Sequence, residues 1–360
     1  MKEGDRMVAY IASVPVHLLT ALQVIKQMDI TDCDLYYVPT SNNAAELLEA
    51  VIQTKVFKNV TMLPNINIEY PITAKQCIKI AFNRFGARNK IKGHVYEKVY
   101  YNTDGWLLNS IIYSSLDQKK SESIFVENGV NPYITSYDTK EWYLRLFINL
   151  NFMTCMDGRF INKRYVYEPS LISVPQSGEI HRISKIDKND LNLKQKINSI
   201  FGYEEKLDSF SGKKIIIMEQ APRKEPIDMV GLWTRISGYI DKKEAIVKSH
   251  PRQKDSILRE IGFSMYERYT IPWEVLTFNQ NMSDKTLFCI FSTACVYPKL
   301  MYGDEPRVIL LYKLIDNDYT FFGKGMISFV EGVKELYMDK DKFFIPNTWD
   351  ELSDYCEKYL

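Results

Sequence analysis

The sequence carries almost no net charge: 46 Lys and Arg stand against 45 Asp and Glu, giving +1 at pH 7. The molecule-wide positive field that collects nucleic-acid phosphates is therefore missing, so no nucleic-acid partner is expected and any anion site must be local. Cysteines are few and scattered. The six (Cys33, Cys77, Cys155, Cys289, Cys295 and Cys356) form no CxxC pair and no Cys/His cluster at zinc spacing. Neither a disulfide framework nor a structural metal is expected, and the thiols read as reduced. Histidine is scarcer still, at four. A long apolar run is also missing. The best stretch, residues 7–25, is broken by Ser13, Pro15, His17, Thr20 and Gln23. It reads as a strand feeding a helix with Pro15 in the first turn, and not as a signal or anchor. There is no short-period repeat and no low-complexity tract.

What the chain does have is alternation. Its 360 residues, 46% of them hydrophobic, exceed what one core usually organises, so two domains are expected. Short β-branched or aromatic runs at 34–39, 59–64, 97–102 and 123–129 alternate with helical patterns at 15–28, 44–54, 72–85 and 106–116. That order predicts a parallel sheet covered by helices on both faces. From about 177 to 212 the pattern lapses into polar residues, and at 213 it starts again: KKIIIM, a helix near 229–240, EAIVKS, a helix near 254–262, TLFCIFS and RVILLYK. The fold expected is α/β of the GT-B type, two Rossmann-like domains with a cleft between them, the architecture of nucleotide-sugar transferases. Its boundaries are 1–185 for an acceptor-side domain, 186–212 for a linker, 213–343 for a nucleotide-sugar domain, and 344–360 for a terminal helix, which in tandem architectures crosses back onto the first domain.

In open parallel sheets ligands bind beyond the carboxyl ends of the strands. Three motifs fall there. FVENG ends the 123–129 run with Glu127, Asn128 and Gly129, where a carboxylate projects from a rigid sheet; the plain alternative is an Asn-Gly turn. VKSHPRQ ends the EAIVK run and puts Lys248, His250 and Arg252 within five positions, with Pro251 fixing the turn; the alternative is a solvated basic rim. FSTA ends TLFCIF with Ser292 and Thr293, whose hydroxyls and backbone N–H groups suit an anion; an ordinary N-cap is the alternative. Weaker signals are Gln220 in the EQAP turn, Glu274 in IPWEVL, and Asp104 in a TDG string that rivals Glu127. Two DxD strings, Asp32-Cys33-Asp34 and Asp316-Asn317-Asp318, read as solvated turns, so no metal is assigned.

Taken in order, these motifs resemble those of the bacterial sialyltransferases of glycosyltransferase family 52, related to the bacterial polysialyltransferases. That family has a (D/E)(D/E)G motif, an HP motif and a later serine-serine or serine-threonine pair, matched here by Glu127-Asn128-Gly129, His250-Pro251 and Ser292-Thr293. The resemblance spans both domains, and it departs from the family at Asn128, where a second acid is usual. Whether Asn128 orients Glu127 or shapes the turn is open.

The resemblance implies an inverting, metal-independent transfer of sialic acid from CMP-sialic acid, with no cofactor, to a terminal sugar of a cell-surface glycan, a galactose of lipooligosaccharide or a capsule-like chain. Glu127 would act as base. His250 would donate to the CMP phosphate, supported by Pro251, Ser292, Thr293, Gln220, Lys248 and Arg252, and Glu274 would bind the ribose. Two other readings stand beside it: a CDP-polyol phosphotransferase of the teichoic-acid type, and a non-catalytic sugar-nucleotide-binding protein. A lipid-linked acceptor and no visible anchor imply a cytoplasmic protein whose only membrane contact is peripheral, on the inner face. The sequence leaves open the acceptor, the linkage, mono- against polysialyl transfer, and the oligomeric state, a homodimer included.

Overall fold

In a computed structural model of the chain, the described residues are 8–39, 44–63, 96–102, 121–135, 161–219, 228–250, 256–315 and 323–360. They fall into two units, one of Met1–Ser184 with Leu191–Ile200 and one of Lys185–Asp190 with Phe201–Leu360. The helices expected at 72–85 and 106–116 lie outside the described residues.

The first unit is built on a sheet of seven strands, all parallel: β1 (Val8–Ala12), β2 (Cys33–Tyr37), β3 (Asn59–Met62), β4 (Lys98–Tyr101), β5 (Glu122–Val126), β6 (Lys163–Val166) and β7 (Glu179–Arg182), in spatial order β3-β2-β1-β4-β5-β6-β7. β1 and β2 are buried at every position, as a parallel strand covered on both faces must be. Helix α1 (Pro15–Gln27) follows β1 after two residues. Its start is set by extended Val14 and by Pro15 at the first helical position, whose fixed φ suits that place. Helix α2 (Ala44–Gln53) buries Leu47, Leu48 and Val51 on one stripe.

The second unit has a five-stranded parallel sheet, with β8 (Ile215–Met218), β9 (Ala245–Lys248), β10 (Thr286–Cys289), β11 (Arg307–Leu310) and β12 (Phe343–Phe344) in spatial order β12-β11-β10-β8-β9. The terminal helix, Trp349–Tyr359, starts at Thr348, whose side chain accepts from the Glu351 N–H, and belongs to this unit. Arg235 lies 4.0 Å over the Trp349 ring and Arg307 4.0 Å over that of Tyr359.

Three features depart from expectation. The stretch at 186–212 contains an eleven-residue helix, Leu191–Phe201, whose Leu193, Ile197 and Ile200 are buried at spacings of four and three residues among polar neighbours. β6 reads KRYV yet buries Arg164 completely. Its Nε donates to the Ser177 carbonyl at 2.8 Å and its guanidinium lies 5.2 Å over the Phe125 ring. The string Asp32-Cys33-Asp34 is not a solvated turn. Cys33 and Asp34 belong to β2, and the buried Asp34 carboxylate accepts from Asn59 Nδ2 at 2.8 Å and Tyr96 Oη at 2.7 Å. The second string, Asp316-Asn317-Asp318, lies outside the described residues.

Candidate functional site

Strand order decides where a ligand fits in each unit. In the first sheet the chain steps outward from β1 to β2 and β3, then returns to the other side of β1 for β4 to β7, so the reversal lies between the carboxyl ends of β1 and β4. In the second sheet β9 lies on one side of β8 and β10 on the other, so the reversal lies between the ends of β8 and β10. Two pockets, of about 470 Å³ and 270 Å³, lie at the opposite, amino ends of the strands. One is lined by Val8, Lys98, Glu122 and Lys163, the other by Ile215, Glu244, Thr286 and Arg307, and neither includes a residue singled out by the motifs.

At the reversal of the first sheet the end of β1 meets Asn102, one residue beyond β4. Asn102 is buried and fully engaged: its Nδ2 donates to Thr20 Oγ1 at 3.0 Å and to the Val126 carbonyl at 3.2 Å, and its Oδ1 accepts from Tyr10 Oη at 2.6 Å. Next door, Glu127 follows β5. It does not project into open space as its place at a strand end suggested, because it is 1% exposed. Its Oε2 accepts from the Tyr133 hydroxyl and, at 2.7 Å, from the Tyr167 N–H. Burial, with the Glu127 charge adding to it, holds the Tyr133 hydroxyl well above the ordinary tyrosine range, so that group stays a donor. Gly129 sits at φ +86°, where a side chain would be strained, and the chain passes into the one-turn helix Asn131–Ile134, so ENG forms no hairpin.

The question about Asn128 has a structural answer: its side-chain amide lies 2.5 Å from Nε2 of His17, in the first turn of α1. His17 Nδ1 accepts from the backbone N–H groups of Ser13 at 3.0 Å and Val14 at 3.4 Å. Burial lowers the imidazole pKa to about 3, so His17 is neutral at physiological pH. His17, Tyr133 and Tyr167 carry no sequence signal for this role. His17 lies 111 positions from Asn128, and Tyr167 40 positions from Glu127.

In the second unit Lys248 ends β9, with Ser249 and half-buried His250 beyond it. Lys248 is no solvated rim: it is 6% exposed, and its Nζ stands 5.1 Å over the Tyr266 ring. Burial lowers its pKa to about 8, opposed by the charge of Glu274. Glu274, in the first turn of the helix Trp273–Asn279, has its carboxyl pushed up by burial and drawn back by Lys248. The structure thus brings these two residues into one electrostatic pair. Glu219, one beyond β8, is buried. Its Oε1 accepts from Ser256 Oγ at 2.6 Å, while Oε2 has no hydrogen-bond partner among the described residues.

Ser292 and Thr293 do not open a full helix. They begin a single 3-10 turn, Thr293–Cys295, in which Ser292 Oγ accepts the Ala294 N–H at 3.3 Å, which is the N-cap reading. The Trp273 indole anchors this turn by donating to the Ala294 carbonyl at 2.8 Å. Nor is the Ser292 turn on the strand next to His250. β8 intervenes, so the two strand ends are about 10 Å apart at the usual strand spacing, with Glu219 between them. Pro251, Arg252, Gln220 and Asp104 lie outside the described residues.

Among the described residues no three His, Cys, Asp or Glu side chains could together hold a metal ion, and no helix is long and apolar enough to cross a membrane. The four described cysteines are free, with Cys295 Sγ 3.1 Å from Cys289 Sγ.

No protein-family model matches the chain, and no curated protein does. Among solved structures, the chain is similar to the glycotransferase of kitacinnamycin, with 8% identity over 98% of this chain and 90% of that one and a TM-score of 0.54. A second similar structure is Acinetobacter baumannii MurG, with 10% identity over the same shares and a TM-score of 0.48. The first likeness, with the two parallel sheets, shows an α/β fold of the GT-B type, two Rossmann-like units.

Proposed function

We propose that the protein is a glycosyltransferase, and specifically an inverting, metal-independent one that moves sialic acid from CMP-sialic acid to a hydroxyl of a terminal sugar, galactose, on a lipid-linked cell-surface glycan at the inner membrane face. The observation that carries this reading is the placement of Glu127-Asn128-Gly129, of His250 and of Ser292-Thr293, each just past the carboxyl end of a strand (β5, β9 and β10) in a fold shared with a glycotransferase.

In this mechanism the acceptor oxygen bonds to the anomeric carbon as the bond from that carbon to the phosphate oxygen breaks. Glu127 takes the hydroxyl proton. Oε2 accepts from Tyr133 and Tyr167, and these two donors fix the orientation of the carboxylate. CMP leaves with one phosphate, whose growing charge is met by the His250 ring, the Ser292 and Thr293 hydroxyls and the buried Lys248 ammonium, with support from Pro251, Arg252 and Gln220. Glu274 then has two partners, a ribose hydroxyl and Lys248. A monophosphate leaving group met by this set needs no divalent cation and no cofactor.

The test is a donor screen with product analysis in excess chelator. Release of CMP from CMP-sialic acid, with an inverted sialoside as product, is expected. Consumption of a CDP-polyol with transfer of its phosphate would replace this reading, and donor binding without turnover would make the chain a binding protein. Loss of activity in chelator, restored by magnesium or manganese, would overturn metal independence.

A further inference from the structure

The first sheet places a neutral polar pair where its chain direction reverses. His17 is 1% exposed, and its Nδ1 is committed as acceptor to the N–H groups of Ser13 and Val14. A neutral imidazole whose Nδ1 accepts carries its proton on Nε2. With Asn128 Nδ2 at 2.5 Å from Nε2, two donors would face each other, so we assign the amide the reverse way, with its carbonyl oxygen accepting from Nε2–H and its NH2 group turned away from His17. Asn128 is half-buried and has no other hydrogen-bond partner among the described residues. Among the described residues nothing lies within 4 Å of where a Cβ on Gly129, the next residue, would sit.

We infer that His17 is a positioning residue that locks the Asn128 carboxamide, so that its N–H groups face a hydroxyl oxygen of a neutral sugar acceptor beside Glu127. The inference rests on the sugar-transfer reading and names its acceptor class. Neither His17 nor Asn128 brings charge, so the pair recognises a neutral hydroxyl and adds no attraction for a sialylated, anionic terminus. An aspartate at 128 would still accept from Nε2–H but would have no N–H to offer the sugar.

The test uses the full chain and lactose as a neutral galactoside, read by nuclear magnetic resonance without any turnover. In the wild type, lactose is expected to shift the Asn128 side-chain NH2 signals, and His17 to show the Nε2–H tautomer with no titration between pH 5 and 8. Asn128→Asp and His17→Leu are each expected to weaken lactose binding about tenfold and to leave CMP binding unchanged, with the double variant no weaker than either. His17→Gln, whose amide can both accept from the backbone and donate to Asn128, should restore most of the affinity. A wild type that does not bind lactose, equal lactose affinity in all variants, or a His17 that titrates near its ordinary pKa would overturn the inference. Lactose binding as described, but without consumption of CMP-sialic acid, would leave it standing and sink the sialyl-transfer reading instead.

Discussion

The strand ends of the two units are built in opposite ways. In the first, three polar groups near the reversal are matched within the protein: Asn102 makes hydrogen bonds with both ends of its amide, Glu127 Oε2 has two donors, and His17 Nδ1 is held by backbone N–H groups. In the second, two buried charged groups have hydrogen-bonding atoms left over among the described residues. The Lys248 ammonium makes no hydrogen bond among the described residues, and Glu219 keeps one oxygen unpaired. An unpaired buried polar group costs about 1–3 kcal/mol, a cost that a ligand supplying the missing bonds would remove. The contrast suits a pair of roles. Under the proposed function the matched site would hold the base in fixed geometry, and the other would take a nucleotide whose phosphate and ribose supply further bonds.

The strongest way to break this contrast is Glu127→Gln. If the first site supplies the base, transfer should fall by about 10²–10⁴-fold, while calorimetry gives an unchanged CMP affinity. Near-normal turnover would end the assignment. Glu127→Ala should in addition lower stability by about 1–3 kcal/mol in denaturant unfolding, because the Tyr133 hydroxyl and Tyr167 N–H lose their acceptor.

Next in size is His250→Ala. A charge-assisted hydrogen bond to phosphate contributes roughly 1.5–3 kcal/mol, so CMP affinity should fall about tenfold to a hundredfold, and transfer with it. Replacing Ser292 and Thr293 together with alanine should act in the same direction more weakly, because Ser292 Oγ already accepts from Ala294. Calorimetry on the combined variant tests whether one phosphate bridges both strand ends across β8: combined losses smaller than the sum are expected. An unchanged CMP affinity in His250→Ala would remove the histidine from the phosphate site.

Smaller again is Asn102→Ala, which probes the matched site without touching its chemistry. Tyr10 Oη would lose its acceptor and Thr20 Oγ1 a donor, so urea unfolding should show a loss of about 1–3 kcal/mol with CMP affinity intact. A change confined to CMP affinity would contradict the division of roles.

How far such a site is legible in sequence depends on whether the signal is local. Apolar runs such as VAYIA and IIIM reveal buried parallel strands, and a motif that follows such a run inherits its place at a strand end. β6 escaped because KRYV reads as polar, although Arg164 is buried over Phe125, and the helix Leu191–Phe201 escaped because its apolar stripe is sparse. Partners distant in the chain leave no local mark, so His17, Tyr133 and Tyr167 were invisible. Strand order leaves none either, so nothing local in the sequence tells that β8 and Glu219 stand between the Ser292 turn and His250.

The finest test of the contrast is the pH dependence of Lys248. Its folded pKa, lowered to about 8 by burial, lies below the ordinary lysine value near 10.4 of the unfolded chain. The sign follows from proton counts. Between those values the unfolded chain binds more protons than the folded one, so stability contributed by this residue rises with pH across that window and is flat below it. Binding of CMP should run the other way. The phosphate gains from the ammonium below pH 8 and loses it as the pH rises above, so wild-type affinity should fall about threefold to tenfold between pH 7 and pH 9.5, the lower part of the range for one hydrogen bond. Lys248→Met keeps the length and the contact with Tyr266 but has no charge to lose. Its CMP affinity should already be low at pH 7 and stay level, and its stability should lose the rise above pH 8, which urea unfolding across the same buffers would follow. If wild type and variant lose affinity in parallel above pH 8, the lysine does not reach the phosphate, and its buried charge has another purpose.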